Sequence, residues 1–315
     1  MSERFLVTGA YGCIGAWTVR QLIREGVDVI GADAGSDARR VADLLQPEEL
    51  ARARFVRADV SDPVSVEALF AHEPTHVIHL AALQVPDCRA DPVLGARVNV
   101  VGTVAMFAAA ARVGLRSPLV YASSVAAFAE ADGGGRPPAD PSGNPDTHYG
   151  VFKLANESTA RVFARESSVS SIGLRPFVVY GPGRDHGLTS ATTMAMAAAA
   201  RGEGYVIPFG GRSEMQYTED VAAAFVAAAR APFDGATVVN VPGVSATIEE
   251  VVAAIELAVP QVAGRIEFGG PSLPFPQELD STAFSTTVGS LPVTPLVDGV
   301  AQTIRHFRGA DSNQS

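Results

Sequence analysis

The sequence predicts an α/β fold: a Rossmann-type doubly wound parallel sheet followed by a smaller, mixed C-terminal lobe. Three observations carry that prediction. Short apolar runs alternate with longer helical patterns through the first 180 residues, the rhythm of a parallel sheet covered by helices on both faces. The first run ends in a glycine-spaced turn, "TGAYGCIG" (8–15), that opens a helix. After "YGPGR" (180–184) the rhythm breaks, and prolines and short elements take over.

The elements follow in order. "RFLVTG" (4–9) reads as a strand with a turn, and Ile14 to Glu25 as a helix ended by Gly26. "VDVIGAD" (27–33), "RFVRAD" (54–59) and "THVIHLAA" (75–82) read as further strands. An alanine-rich helix over 92–113 leads to "PLVYASS" (118–124), a helix around Tyr149, and the extended run "SSIGLRPFVVYG" (170–181). Beyond it lie a Met/Ala helix (189–201), a strand-like "MQYTE", an apolar helix (220–231) and "TVVNV". The first unit is therefore expected over 1–181, with 216–241 returning to it. Segments 182–215 and 242–308 form the second lobe, and 309–315 a disordered tail.

Bulk properties narrow the function. The chain carries a formal charge of −10 and no basic run longer than two arginines, which disfavours nucleic acid and acidic membranes as partners. No run approaches the length of a membrane span. The start has no apolar signal region. Two cysteines and six scattered histidines, without metal-ligand spacing, point away from a disulfide scaffold or a bound metal. A reduced, cytoplasmic setting fits best.

The chemistry-bearing residues lie at strand ends. Gly9, Gly12 and Gly15 fit a G-x-x-G-x-x-G turn between a strand and a helix. They would permit a tight turn, a close phosphate and close helix packing, with the helix N-terminus facing a pyrophosphate. Asp33, 18 residues after Gly15, ends the second strand. It would accept from both ribose hydroxyls and repel a 2′-phosphate, favouring NAD over NADP, although Arg39 and Arg40 stand nearby. Asp59 would meet the adenine or cap the next helix. Ser124 ends the fifth strand, beyond which ligands bind in such sheets. Tyr149 and Lys153, four apart in "HYGVFK", share a helix face. Moving a phenol from its usual pKa of about 10 to neutrality needs roughly 4 kcal/mol. A neighbouring ammonium and a positive nicotinamide would contribute it. Tyr149 would then take the proton of a substrate hydroxyl as hydride leaves.

Together "TGAYGCIG", "HLAA" (79–82), Asn99 in "NVVGT", "YASS" and "YGVFK" make the chain resemble the extended short-chain dehydrogenases/reductases, the NAD-dependent epimerase/dehydratase family. The resemblance covers residues 4 to 308. It implies a bound NAD, a C-terminal substrate lobe, and a homodimer through a four-helix bundle built from the helices near 92–113 and 149–166. It also implies that Ala81 and Ala82 line the cofactor and that Asn99 supports the site. The expected cofactor site comprises Gly9, Tyr11, Gly12, Cys13, Ile14, Gly15, Asp33, Asp59, Val60, Leu80, Ala81, Ala82, Asn99, Ala122, Ser123, Tyr149, Lys153 and Pro176. The expected substrate site comprises Gln84, Ser124, Val125, Tyr149, Val178 and Arg184, with His148 a further polar candidate.

The chain departs from its relatives at two places. Val178 holds the position of an asparagine in "RPFVVYGPG", and Ser213 that of an arginine in "RSEMQYTEDVA", with Arg212 one place away. Both usual residues would grip a diphosphate through charge-assisted bonds. The expected reaction is therefore hydride transfer between NAD and a secondary alcohol or ketone of a small sugar, sugar acid or similar non-nucleotide. The alternatives are a (nucleotide-)sugar epimerase or dehydratase that oxidises transiently, and a catalytically inactive NAD-sensing protein.

Overall fold

The structure, a computed structural model, describes residues 3–128, 145–273 and 275–312. Its strands are β1 (Arg4–Thr8), β2 (Asp28–Asp33), β3 (Arg54–Arg57), β4 (His76–His79), β5 (Leu119–Ala122), β6 (Ser171–Arg175), β7 (Val178–Tyr180), β8 (Tyr205–Ile207), β9 (Arg212–Tyr217), β10 (Ala236–Asn240), β11 (Val244–Thr247) and β12 (Ile266–Phe268). Seven of them form one sheet in the order β10-β6-β5-β4-β1-β2-β3. Every neighbouring pair in it is parallel. The chain leaves β3 and returns to the other side of β1 as β4. A crevice therefore opens beyond the carboxyl ends of β1 and β4, where such sheets bind ligands.

Helices cover both faces. Cys13–Arg24 and Thr218–Arg230 pack together on one side. Their buried Val19, Leu22, Ile23, Val221 and Phe225 join Phe5, Val7 and Ile172 of the sheet. Pro63–Phe70, Pro92–Val113 and His148–Ser167 cover the other, burying Val66, Leu69, Met106, Phe107 and Ala160 against Leu6, Val77 and Tyr121. A second core gathers Ala191–Ala200, Ile248–Ala258 and Leu296–Ser312 around the antiparallel β9–β11 pair and its parallel neighbour β7.

The run 170–181 is not one strand. Pro176 offers no N–H to a ladder, so β6 stops at Arg175 and β7 starts at Val178 in the three-stranded sheet. Residues 178–180 and 216–217 thus belong to the smaller sheet, where sequence reading assigns them to the first unit. The closing helix also runs through 309–312, where a disordered tail is expected; 313–315 lie outside the described residues. Val300, Thr303 and Ile304 are buried on one face of that helix, and once it is anchored each further residue adds a hydrogen bond at small entropic cost.

One ion pair ties the His148–Ser167 helix to the sheet. Arg175, the last residue of β6, forks onto Glu157 with Nε–Oε1 2.8 Å and Nη2–Oε2 2.6 Å. Both side chains are buried, at 1 % and 0 % exposure. The Ser123 hydroxyl also donates to Glu157 Oε1, and the guanidinium lies 4.6 Å over the Phe128 ring. Replacing one partner leaves a buried charge uncompensated, so Arg175→Met is expected to cost about 3–5 kcal/mol. Urea unfolding of wild type and variant checks it; a loss below about 1 kcal/mol would show that water reaches Glu157.

Candidate active site

The crevice is a cleft of about 480 Å³ between the sheet's carboxyl edge and the second lobe. Its floor is the glycine turn. Gly9 has φ +69°, and a Cβ there would lie 2.7 Å from the Ala81 amide nitrogen; one on Gly15 would lie 2.0 Å from Gly9 O. No side chain can occupy either place without moving backbone. Gly12, the N-cap of the helix beginning at Cys13, makes no side-chain cap. The first N–H groups of that helix face the cleft with its positive dipole end.

The walls collect most of the predicted cofactor set. Gly9, Tyr11, Gly12, Cys13, Ile14, Gly15, Asp33, Asp59, Val60, Leu80, Ala81, Ala82, Ala122, Ser123, Tyr149, Lys153 and Pro176 all line this cleft. The Asp33 carboxylate accepts from Tyr11 N at 3.0 Å and Gly35 N at 2.9 Å. Asp59 lines the same wall and accepts from Ser61 N at 2.9 Å; the helix that follows is capped by Asp62 and not by Asp59. Asn99 does not line the cleft. It is buried, accepts from Leu83 N at 2.7 Å and donates to Leu83 O at 3.0 Å. Its own carbonyl, within a π-helical turn (Arg97–Val101), accepts from Asn156 Nδ2 and Thr103 Oγ1. It holds the wall in place from behind.

Ser124, Tyr149 and Lys153 converge for local reasons. Thr147 caps the 148–167 helix through Gly150 N at 3.0 Å. A Cβ on Gly150 would strike Ala126 O at 2.1 Å, so only glycine lets the helix start press on the Ser124–Ala127 turn. The Tyr149 phenol is consequently hydrogen-bonded to Ser124. Lys153 Nζ donates to Ala122 O at 2.7 Å and lies 5.4 Å from the Tyr149 ring centre.

Their protonation differs from the simple expectation. Burial pushes the Tyr149 phenol above its usual value; the Ser124 hydrogen bond and the Arg184 charge oppose it only partly. Burial also brings Lys153 down to about 8. Tyr149 is thus a neutral phenol at pH 7 in this structure, because desolvation outweighs the neighbouring cation. His79 behaves likewise. Held between Thr8 Oγ1 (2.7 Å) and Thr103 Oγ1 (3.1 Å), it is kept neutral by burial and by the Lys153 charge, with its pKa brought to about 3.

On the substrate side, Gln84, Val125 and Arg184 line the cleft. Val178 does not. Phe177 and Val179 face the cleft, and strand alternation turns Val178 into the second core. Ser213 is buried. Arg212 sits at the β9–β11 edge, donating to Ser245 O at 3.3 Å with Glu250 at 3.7 Å. Neither Ser213, Arg212 nor His148 lines the cleft. Sequence reading did not single out Phe275, Leu188 or Thr189, which do. It noted Arg40 only as a neighbour of Asp33. Its guanidinium reaches Tyr11 O (3.0 Å) and Asp185 (2.5 Å) across the cleft mouth.

A doubly wound sheet with a glycine turn, a carboxylate at the end of β2 and a Ser/Tyr/Lys set defines a dinucleotide-dependent enzyme of the short-chain dehydrogenase/reductase type. The profile of the NAD dependent epimerase/dehydratase family matches residues 5–241, and the chain belongs to that family. It is 32% identical to a UDP-glucose 4-epimerase of Mycolicibacterium smegmatis, over 97% of this chain and 98% of that one. It is 30% identical to a D-erythronate dehydrogenase of Cupriavidus necator, over 59% and 58%. Among solved structures, a Thermus thermophilus UDP-glucose 4-epimerase in complex with NAD superposes with TM-score 0.81 at 29% identity, covering 98% of this chain and 99% of that one. The cofactor is NAD.

Asp33 is expected to set the cofactor preference. Asp33→Ala is expected to weaken NAD by roughly tenfold or more, since bonds to a charged group are typically worth about 1.5–3 kcal/mol. NADP should weaken far less. Titration of both cofactors into wild type and variant checks it; equal losses for the two would remove Asp33 from discrimination.

Proposed function

We propose that this enzyme transfers hydride between NAD and the secondary alcohol carbon of a small hydroxylated substrate that carries no nucleotide. The Ser124–Tyr149 hydrogen bond, one helical turn from Lys153 and in the same cleft as the glycine turn, is the observation that carries the reading. NAD supplies the hydride acceptor when bound. Ser124 holds the reacting oxygen. Tyr149 takes its proton in oxidation and returns it in reduction. Lys153, donating to Ala122 O, holds its ammonium beneath the phenol ring. Because burial raises the phenol, its ionisation draws on the Ser124 bond, the Arg184 charge and the positive charge of the nicotinamide.

Residue chemistry supports a substrate without a nucleotide. The three positions considered for a diphosphate, Val178, Arg212 and Ser213, lie away from the cleft. A nucleotide-sugar epimerase is the second reading, favoured by the full-length likeness to the mycobacterial enzyme. The same Ser, Tyr and Lys serve both, and an inactive sensor would have no need of them.

Tyr149→Phe is expected to keep the fold and NAD affinity and to lose about 10²–10⁴-fold in turnover. The assay incubates the NAD-loaded enzyme with sugars, sugar acids, alcohols and UDP-glucose, following NADH absorbance and substrate stereochemistry together. Net NADH from a non-nucleotide supports the first reading. A changed stereocentre in UDP-glucose without net NADH establishes the second. Normal turnover by the Phe variant removes Tyr149 from both.

We also propose a homodimer in a reducing, cytoplasmic setting. Val93, Leu94, Val101 and Val104 on one helix, with Val151 and Val162 on its neighbour, are exposed. Apolar patches of this kind mark self-association. Sedimentation should give a dimer, and Val101→Glu with Val104→Glu a folded monomer; an unchanged dimer would place the interface elsewhere.

A further inference from the structure

Arg184 stands apart from the charges around it. It lies in "GPGRDHG", where Gly181, Gly183 and Gly187 have φ +130°, +86° and +95° and fold the segment back over the cleft. The neighbours of Arg184 are tied down. Pro182 O accepts from Trp17 Nε1 at 2.9 Å, Asp185 pairs with Arg40 at 2.5 Å, and His186 meets Asp87 at 3.4 Å. Arg184 instead lines the cleft and pairs with no carboxylate among the described residues. Nη2 donates to Thr189 Oγ1 at 3.0 Å, whereas Nε is buried with no acceptor. A buried N–H of a guanidinium without a partner is costly and rare.

Gln84 lines the same cleft; a Cβ on Gly187 would crowd both side chains, 3.3 Å from Arg184 Nη2 and 3.5 Å from Gln84 Oε1, so glycine leaves guanidinium and amide side by side. The cation also acts on the reacting end. Burial raises the Tyr149 phenol, and Arg184 opposes that rise. The other cation near the chemistry, Lys153, is committed to Ala122 O. Arg40, at the adenosine end, is committed to Asp185 and Tyr11 O.

We propose that Arg184 clamps a carboxylate of the substrate, which makes the substrate class a small hydroxy acid whose secondary hydroxyl meets Ser124 and Tyr149. A planar guanidinium that gives one N–H to Thr189 and has no carboxylate partner among the described residues matches a substrate carboxylate in a two-bond fork. A diphosphate spreads two charges and suits more than one cation. Oxidation then removes hydride from the carbinol carbon to NAD and the hydroxyl proton to Tyr149, leaving a keto acid. The inference rests on the hydride-transfer reading above.

The test uses full-length enzyme loaded with NAD. Four-carbon polyhydroxy acids, their amides, the matching polyols and UDP-glucose are compared. Turnover is read with Arg184 intact and as Arg184→Met and Arg184→Lys. Binding is read calorimetrically in Tyr149→Phe, with and without Arg184→Met. Retained NAD affinity and circular dichroism report folding. The acids should be turned over at least tenfold better than amides or polyols. Arg184→Met should raise their KM about 10²-fold, leave NAD affinity within threefold, and be partly rescued by Lys. A parallel loss of NAD affinity would reassign Arg184 to the cofactor pyrophosphate. Micromolar UDP-glucose binding lost in Arg184→Met would reassign it to a diphosphate. Polyols oxidised as well as acids, or no acid bound at all, would overturn the clamp while leaving hydride transfer standing or falling on the NADH signal. Arg184-dependent acid binding without any NADH or stereochemical change from wild type would keep the clamp and overturn hydride transfer.

Discussion

The buried fork between Arg175 and Glu157 is the constraint on which the reacting geometry depends. It joins the end of β6 to the third turn of the 148–167 helix, and through Ser123 it takes in the end of β5. Lys153 is one turn before Glu157 and Tyr149 one turn before that, so fixing Glu157 fixes all three along a single face. On the other side, Arg175 directly precedes Pro176 and Phe177, which line the cleft. Such a pair gains little net stability because both ions are stripped of water. Its worth lies in direction, since a bidentate fork tolerates little rotation.

Desolvation dominates the electrostatics of the site. It raises the Tyr149 phenol, brings Lys153 to about 8 and brings His79 to about 3. The protein thus presents a reacting centre poor in charge, in which each remaining charge acts strongly. Neutral His79 has a structural part. With Thr103 Oγ1 donating to Asn99 O, the ring donates from Nε2 to Thr103 and accepts from Thr8 at Nδ1. That chain connects the glycine-turn strand to the Asn99 turn that braces Leu83. The second lobe completes the cleft with Phe275, set edge-on to Phe177, while Trp17–Pro182 and Arg40–Asp185 hold the glycine-rich segment across its mouth.

By itself the sequence determined what depends on short spacing. The glycine turn, Asp33 at a strand end, Ser124 at another and the Tyr149/Lys153 pair are legible because the strand–turn–helix context and the helical period bring neighbours in sequence together. The alternation of elements likewise settled the parallel sheet. Tertiary structure decided whatever depends on facing. Val178 reads as a cleft residue by its motif, yet the two-residue period of β7 turns it inward and shows Phe177 and Val179 instead. Pro176 moves the chain from one sheet to the other, which an unbroken apolar run conceals. Glu157 and Arg175 are 18 residues apart, and Arg40 and Asp185 are 145 apart; no local pattern couples such pairs. The protonation of Tyr149 was decided there as well, because the spacing to Lys153 predicts attraction between the two groups while only the folded cleft sets how much water each has lost.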